Sequence, residues 1–313
     1  MIRKLSIACC LVATLSIAAT KPAATQPAGP SKDGMGREYW LYSPSKTAAS
    51  RDYRLVVGVH GYGGNGAGAA GLAEWSTKRD CFVLGPSFPN DGYQLLLQEA
   101  DTQLVNLLKD LRGKLRLKPR VFLFGFSGGA QFVHRFTQRY PDLVAGCAAH
   151  SAGTWATGGE WGELNPEAKP IPLVISCGQR DTAKSVPQAP FARIEWAHQF
   201  EQQLRSGGFA HAATYPRDAG HSYGPEAAAL TEICFKAATG KAETLAAQRA
   251  EVAALLAKGN TAAAQALAAR SKVRVAPVAA DAKPETALDA SLGLAHNAAL
   301  DALLSEGKGK ISK

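Results

Sequence analysis

Gly125-Phe126-Ser127-Gly128-Gly129 directly follows the apolar run Val121-Phe122-Leu123-Phe124. A buried strand that turns sharply into a helix at this point projects the Ser127 hydroxyl from the sheet edge on a strained backbone. Glycine two residues before and two after the serine answers a steric demand, because strand and helix backbones pass too close there for side chains. The helix that follows offers free N–H groups and the positive end of its dipole to developing negative charge. The pentapeptide alone occurs by chance in many proteins. Behind a buried strand and ahead of an amphipathic helix, it predicts a nucleophilic serine.

Upstream, the aliphatic run Leu55-Val56-Val57-Gly58-Val59 ends in His60-Gly61-Tyr62-Gly63-Gly64-Asn65-Gly66. A glycine-rich loop after a core strand brings bare N–H groups close to a substrate oxygen, so the amides near Tyr62 and of Gly128 are candidate oxyanion donors. Losing one such donor costs about 3 kcal/mol of transition-state stabilisation. A phosphate cradle is disfavoured, since no G-K-[ST] ending and no G-x-G-x-x-G spacing opens a helix here. A plain flexible loop is the bland alternative.

Downstream, the strand-like run Pro172 to Gly178 leads into Gln179-Arg180-Asp181-Thr182, which places Asp181 beyond the strand's carboxyl end, where catalytic groups of parallel sheets gather. A predicted helix over Phe191 to Arg205, stopped by Gly207-Gly208, and a short strand over Ala212 to Tyr215 then precede the loop that carries His221. In these roles His221 takes the proton of Ser127 and returns it to the leaving group, while Asp181 holds the tautomer and stabilises the imidazolium. Asp181 also reads as a turn or capping residue. Asp218, three residues before His221, is a second acidic candidate better read as a loop residue. His134 and His198 read as packing or surface histidines, whereas His150, ending the apolar run after Leu143, reaches toward the same sheet edge. No H-E-x-x-H or C-x-x-C spacing is present, and no cofactor is expected.

These motifs, in the order oxyanion loop, serine, aspartate, histidine, resemble the α/β-hydrolase superfamily. Within it, the chain is similar to compact secreted esterases grouped with feruloyl esterases, acetylxylan esterases and polyhydroxybutyrate depolymerases. The segment Arg37-Glu38-Tyr39-Trp40-Leu41-Tyr42 followed by Leu55 to Gly64 looks like that group's first strand, turn and oxyanion strand, and the resemblance runs from about Gly36 to Phe235. It implies a mostly parallel sheet covered by helices on both faces, with Ser127, Asp181 and His221 as a triad.

The 313 residues divide by composition. Arg3-Lys4 and the apolar stretch Leu5 to Ala19 read as a signal peptide (1–20), shorter than the ~20 apolar residues of a membrane span and broken by Lys21-Pro22. A Pro/Ala/Gly linker (21–36) follows, then the catalytic domain (37–236) and an alanine-rich helical tail (237–313). A leader of this kind directs the chain to the periplasm or the exterior, where disulfides are permitted; Cys81, Cys147, Cys177 and Cys234 read equally as buried thiols or as bridges. Between the motifs we expect a short helix over Leu72 to Thr77, a strand over Cys81 to Leu84 and a long helix over Tyr93 to Leu115. Phe132 to Tyr140 continues the helix after Ser127. The Trp155 to Lys169 segment reads either as a substrate-shaping insertion, with Trp155 and Trp161 against an open site, or as a surface loop with one packed tryptophan. In the tail, helices over Lys241 to Lys258, Thr261 to Lys272 and Thr286 to Leu304 have high propensity but little surface to bury.

The formal charge of +9 is scattered, with no dense basic run interleaved with aromatics. That speaks for general attraction to anionic polymers or an envelope surface through the tail, and against nucleic-acid recognition. The leading expectation is a secreted serine esterase acting on an ester, polymer-linked or free. A peptidase or thioesterase on the same triad, and a non-catalytic scaffold, are the alternatives.

Overall fold

Alternation of β-branched runs with amphipathic helices builds one eight-stranded sheet. The computed structural model describes residues 29–272, 275, 279 and 282–311, so the expected signal peptide lies outside the described residues. The strands are β1 (Ser31–Lys32), β2 (Glu38–Tyr42), β3 (Leu55–Val59), β4 (Phe82–Pro86), β5 (Val121–Phe126), β6 (Val144–His150), β7 (Leu173–Ser176) and β8 (His211–Thr214), in the spatial order β1-β2-β4-β3-β5-β6-β7-β8. From β4 to β8 every pairing is parallel, and β1 and β2 add an antiparallel edge. Part of the expected linker is therefore structured, since Ser31 pairs with Tyr39 and Lys32 with Glu38.

Because strand side chains alternate, each central strand feeds two cores. Leu55, Val57 and Val59 face one core with Leu123 and Ile175, whereas Val56, Phe122 and Val174 face the other. The first core is closed by α2 (Ala100–Lys114), α3 (Gly128–Arg139) and α4 (Arg193–Ser206), through Leu104, Leu108, Phe132, Phe136, Trp196 and Phe200. The second is closed by α1 (Glu74–Lys78), α5 (Pro225–Thr239) and the C-terminal helix α8 (Pro284–Ile311), through Trp75, Leu230, Phe235, Leu288 and Leu292.

The long helix expected from Tyr93 begins only at Ala100. Leu96, Gln98 and Glu99 take positive φ, which interrupts the helical path. Leu97, inside the expected helix, is 53% exposed. The shift to alanine-rich composition near Ala237 falls inside α5, so no chain break accompanies it. Beyond it, α6 (Lys241–Ala257) and α7 (Thr261–Ser271) pack with α8 around a small cluster of Val252, Ala264, Ala268 and Leu300. Glu243 of α6 pairs with Arg54 and Lys118, which ties the extension to the sheet domain. Cys81, Cys147, Cys177 and Cys234 are free and buried. Among the described residues, no helix is long and apolar enough to cross a membrane.

Candidate active site

The turn between β5 and α3 has the strain that its sequence demands. Ser127 sits at φ 56° and ψ −118°, a conformation costly for a residue with a side chain. A Cβ on Gly125 would stand 2.3 Å from the Gly129 carbonyl oxygen, and one on Gly129 would stand 2.1 Å from that of Val59. Both positions thus exclude every residue but glycine. The Ser127 N–H donates to the His150 carbonyl at 2.9 Å, which fixes the turn to the end of β6.

Three loops at the carboxyl ends of the strands converge on this serine. Ser127 Oγ lies 2.9 Å from His221 Nε2, and His221 Nδ1 lies 2.7 Å from Asp181 Oδ2. The loops carrying the acid and the histidine are sewn together: Gln179 N–H donates to Pro216 O and Arg180 N–H to Ala219 O. A Cβ on Gly178 would stand 2.2 Å from the Ala219 oxygen, so this crossing too requires glycine.

Burial pushes the Asp181 carboxyl upward, but hydrogen bonds and charge from His221 and Arg193 outweigh it and hold the group below its ordinary value. The ionised carboxylate only accepts, so Nδ1 of His221 carries the proton and Nε2 is left to accept from the Ser127 hydroxyl. The relay is set in the direction that activates an oxygen nucleophile. On its other side Asp181 receives Arg193 Nη1 at 3.2 Å.

The backbones of Tyr62 and Gly128 approach closely, since a Cβ on Gly128 would be 2.8 Å from Tyr62 N. Neither amide is spent on a turn or loop hydrogen bond among the described residues. Their loop is held by side-chain hydrogen bonds. His60 Nε2 accepts from Phe88 N–H at 3.0 Å, so its Nδ1 carries the proton donated to Gly61 O at 2.8 Å. Tyr93 Oη donates to the His60 carbonyl at 2.7 Å, and Gly63 N–H reaches Asn90 Oδ1 at 2.8 Å. This pair of amides can receive an oxyanion that forms at an acyl carbon on Ser127.

The remaining candidates separate cleanly. His150 is fully buried between the Ser176 and Thr231 hydroxyls, at 2.7 and 2.8 Å, and its side chain serves the core. His134 is buried against Ala130 O and Ala156 N, and His198 packs on the Tyr215 ring at 4.0 Å. Among the described residues, Asp218 is engaged through its carbonyl, which accepts from Arg180.

Trp155 is a correction to the substrate-shaping reading, and the alternative of one packed tryptophan fits it. Trp155 is fully buried in a cluster with Phe200 and His134, each ring centroid 5.0 Å from its own, and belongs to the core. Trp161 packs edge-on against Trp196, and its carbonyl accepts from Arg135, two turns along α3 from Ser127. About 12 Å of helix separates that position from the serine. The large apolar side chain exposed beside the turn is another: Tyr62, whose backbone meets Gly128, is 71% exposed. Sequence reasoning also passed over His60, Tyr93 and Arg193. The first adjoins the quoted glycine loop, whereas nothing in the local pattern marks the other two.

No protein-family model matches the chain, and no curated protein matches it in sequence. Solved structures do resemble it. Poly(aspartic acid) hydrolase-1 from Sphingomonas sp. KT-1 is 19% identical with a TM-score of 0.53, the match covering 68% of this chain and 98% of that one. The poly(3-hydroxybutyrate) depolymerase from Bordetella parapertussis is 18% identical with a TM-score of 0.51, over 69% and 89% of the two chains. A CE1 ferulic acid esterase from Anaeromyces mucronatus, in complex with ferulic acid, is 15% identical with a TM-score of 0.52, over 73% and 96%. A thermostable esterase, 21% identical with a TM-score of 0.48, aligns over 61% of this chain, which spans only 54% of that protein's length. Strand order, nucleophile turn and the first three of these likenesses agree that the chain has the α/β-hydrolase fold.

Proposed function

We propose that the protein is an exported serine hydrolase that cleaves carboxylic esters through an acyl-enzyme. The observation that carries this reading is the continuous relay from Ser127 Oγ through His221 to an ionised Asp181, at 2.9 and 2.7 Å. Ser127 Oγ attacks the acyl carbon as His221 Nε2 takes its proton. The carbonyl oxygen becomes an oxyanion that accepts from Tyr62 N–H and Gly128 N–H. His221 then protonates the leaving alkoxide, the carbon–oxygen bond breaks and the acyl group stays on Ser127. Water enters, gives a proton to His221 and adds to the acyl carbon. Collapse of that second intermediate returns the proton to Ser127 and releases the acid.

Esters are preferred to peptides as the substrate class, with the exposed Tyr62 side chain beside the half-buried Ser127 to meet an apolar acyl or alcohol group. The neighbours named for feruloyl and hydroxybutyrate esters support this, and they extend the proposal to polymer-linked substrates. Export rests on the basic and apolar stretch at 1–20. A panel of p-nitrophenyl esters, a thioester and a peptide, run on wild type and Ser127→Ala, tests the reading. Ester turnover that falls about 10⁴-fold or more in Ser127→Ala supports it. Ester turnover unchanged by that substitution rules it out.

A further inference from the structure

Arg193 is an unusual residue where it stands. It opens α4, the end of a helix whose dipole disfavours a cation. Its Nε is buried with no hydrogen-bond partner among the described residues. What offsets these costs is Asp181, whose side chain is 2% exposed and whose Oδ1 takes Arg193 Nη1 at 3.2 Å. The backbone repeats the connection. Ile194 N–H donates to Asp181 O at 3.2 Å and Arg193 N–H to Ala183 O at 3.1 Å, so the 182–192 loop leaves the acid and returns to it. One oxygen of Asp181 therefore serves His221 and the other serves Arg193.

We propose that Arg193 is a positioning residue that orients the Asp181 carboxylate toward His221 and draws off part of its charge, so that the imidazole stays a proton acceptor in more acidic solution. The inference rests on the triad reading above. A carboxylate beside an imidazole favours the protonated ring, and a guanidinium on the carboxylate's far oxygen opposes that preference as a like charge does. Among the described residues, His221 and Arg193 are the charged groups recorded on the carboxylate. Cys177 Sγ, 3.8 Å from Oδ2 at the end of β7, is neutral because burial pushes its thiol up to about 12. Ser127 and Phe126 face the ring from the elbow without charge, and Arg180 turns away to the Asp218 carbonyl.

The test is the titration of the His221 ring followed by NMR in Ser127→Ala, with and without Arg193→Met, Arg193→Gln or Arg193→Lys. It is paired with the pH dependence of kcat/KM in enzymes that retain Ser127. In Arg193→Met and Arg193→Gln the ring midpoint and the acid limb should both move to higher pH, by about one unit. Maximal kcat should drop with little change in KM, and Arg193→Lys should keep the limb near its original place. A ring midpoint that does not move in a folded Arg193→Met or Arg193→Gln protein overturns the proposal. Ester turnover that depends on Ser127 alongside an unmoved midpoint removes Arg193 alone. A moved midpoint without ester turnover removes the esterase reading and leaves the arginine's effect standing.

Discussion

The elbow around Ser127 and the helices after Thr239 both depend on small residues, for opposite reasons. At the elbow, Gly125, Gly129 and Gly178 stand where any Cβ would fall 2.1–2.3 Å from a carbonyl oxygen. Smallness there permits backbones to touch, and the contact points a hydroxyl, an imidazole and a carboxylate at one another. In the extension, alanine supplies helix propensity while burying little, so α6, α7 and α8 share a cluster of only four buried side chains. The anchoring comes from Leu288 and Leu292, which enter the sheet's second core. The geometry around Ser127 is thus fixed by exclusion, and the extension by a few large contacts among many weak ones.

The sharpest way to break that contrast is Gly129→Ala. A methyl group there must displace Val59, so we expect a loss of about 3 kcal/mol in chemical denaturation and no ester turnover from what remains folded. A stable, active Gly129→Ala protein would deny that exclusion sets the elbow.

Acid should undermine the elbow side next. Burial holds the His150 ring at about 3, below its ordinary 6.5. Between those values the unfolded chain binds a proton that the folded chain does not. Stability is therefore whole above about 6.5 and drains as pH falls toward 3. Denaturation midpoints at pH 7, 5 and 4 should fall less steeply in His150→Gln, which keeps hydrogen bonds to Ser176 and Thr231 without a titrating ring.

On the extension's side, Leu292→Ala should cost about 2–3 kcal/mol by thermal or chemical unfolding. Turnover per folded molecule should stay at the wild-type level, because the side chain serves the core opposite α3. A change in kcat with stability intact would show that the extension governs the site. The smallest effect belongs to Ala266, exposed on α7. Ala266→Gly should cost about 1 kcal/mol at most, read as a small loss of helical signal before global unfolding.

Legibility follows the same division. The run from Val121 to Gly129 was readable because strand, turn and helix each leave a mark in the same few residues, and Leu55–Val59 forms a strand over the bounds expected of it. Asp181 and His221 were found by their places after strand-like runs, and the structure brings both to Ser127. Arg193 left no local mark, since its partner is twelve residues earlier and only the loop's return makes them neighbours. Trp155 misled because an aromatic in a polar segment looks the same in sequence whether it lines a mouth or fills a core. The start of α2 was misplaced for a backbone reason: Leu96, Gln98 and Glu99 are ordinary helix formers held at positive φ by their surroundings. Ser31 and Lys32 sit in a segment composed like a linker, and only pairing with β2 makes them a strand.

Intact-mass and peptide-level mass spectrometry after incubation with a fluorophosphonate probes the central claim most directly. Wild-type protein should gain one adduct, on the peptide containing Ser127, and His221→Ala should gain it at least about 10³-fold more slowly. Folded wild-type protein that gains no adduct at Ser127, or gains it as fast without His221, would contradict the account.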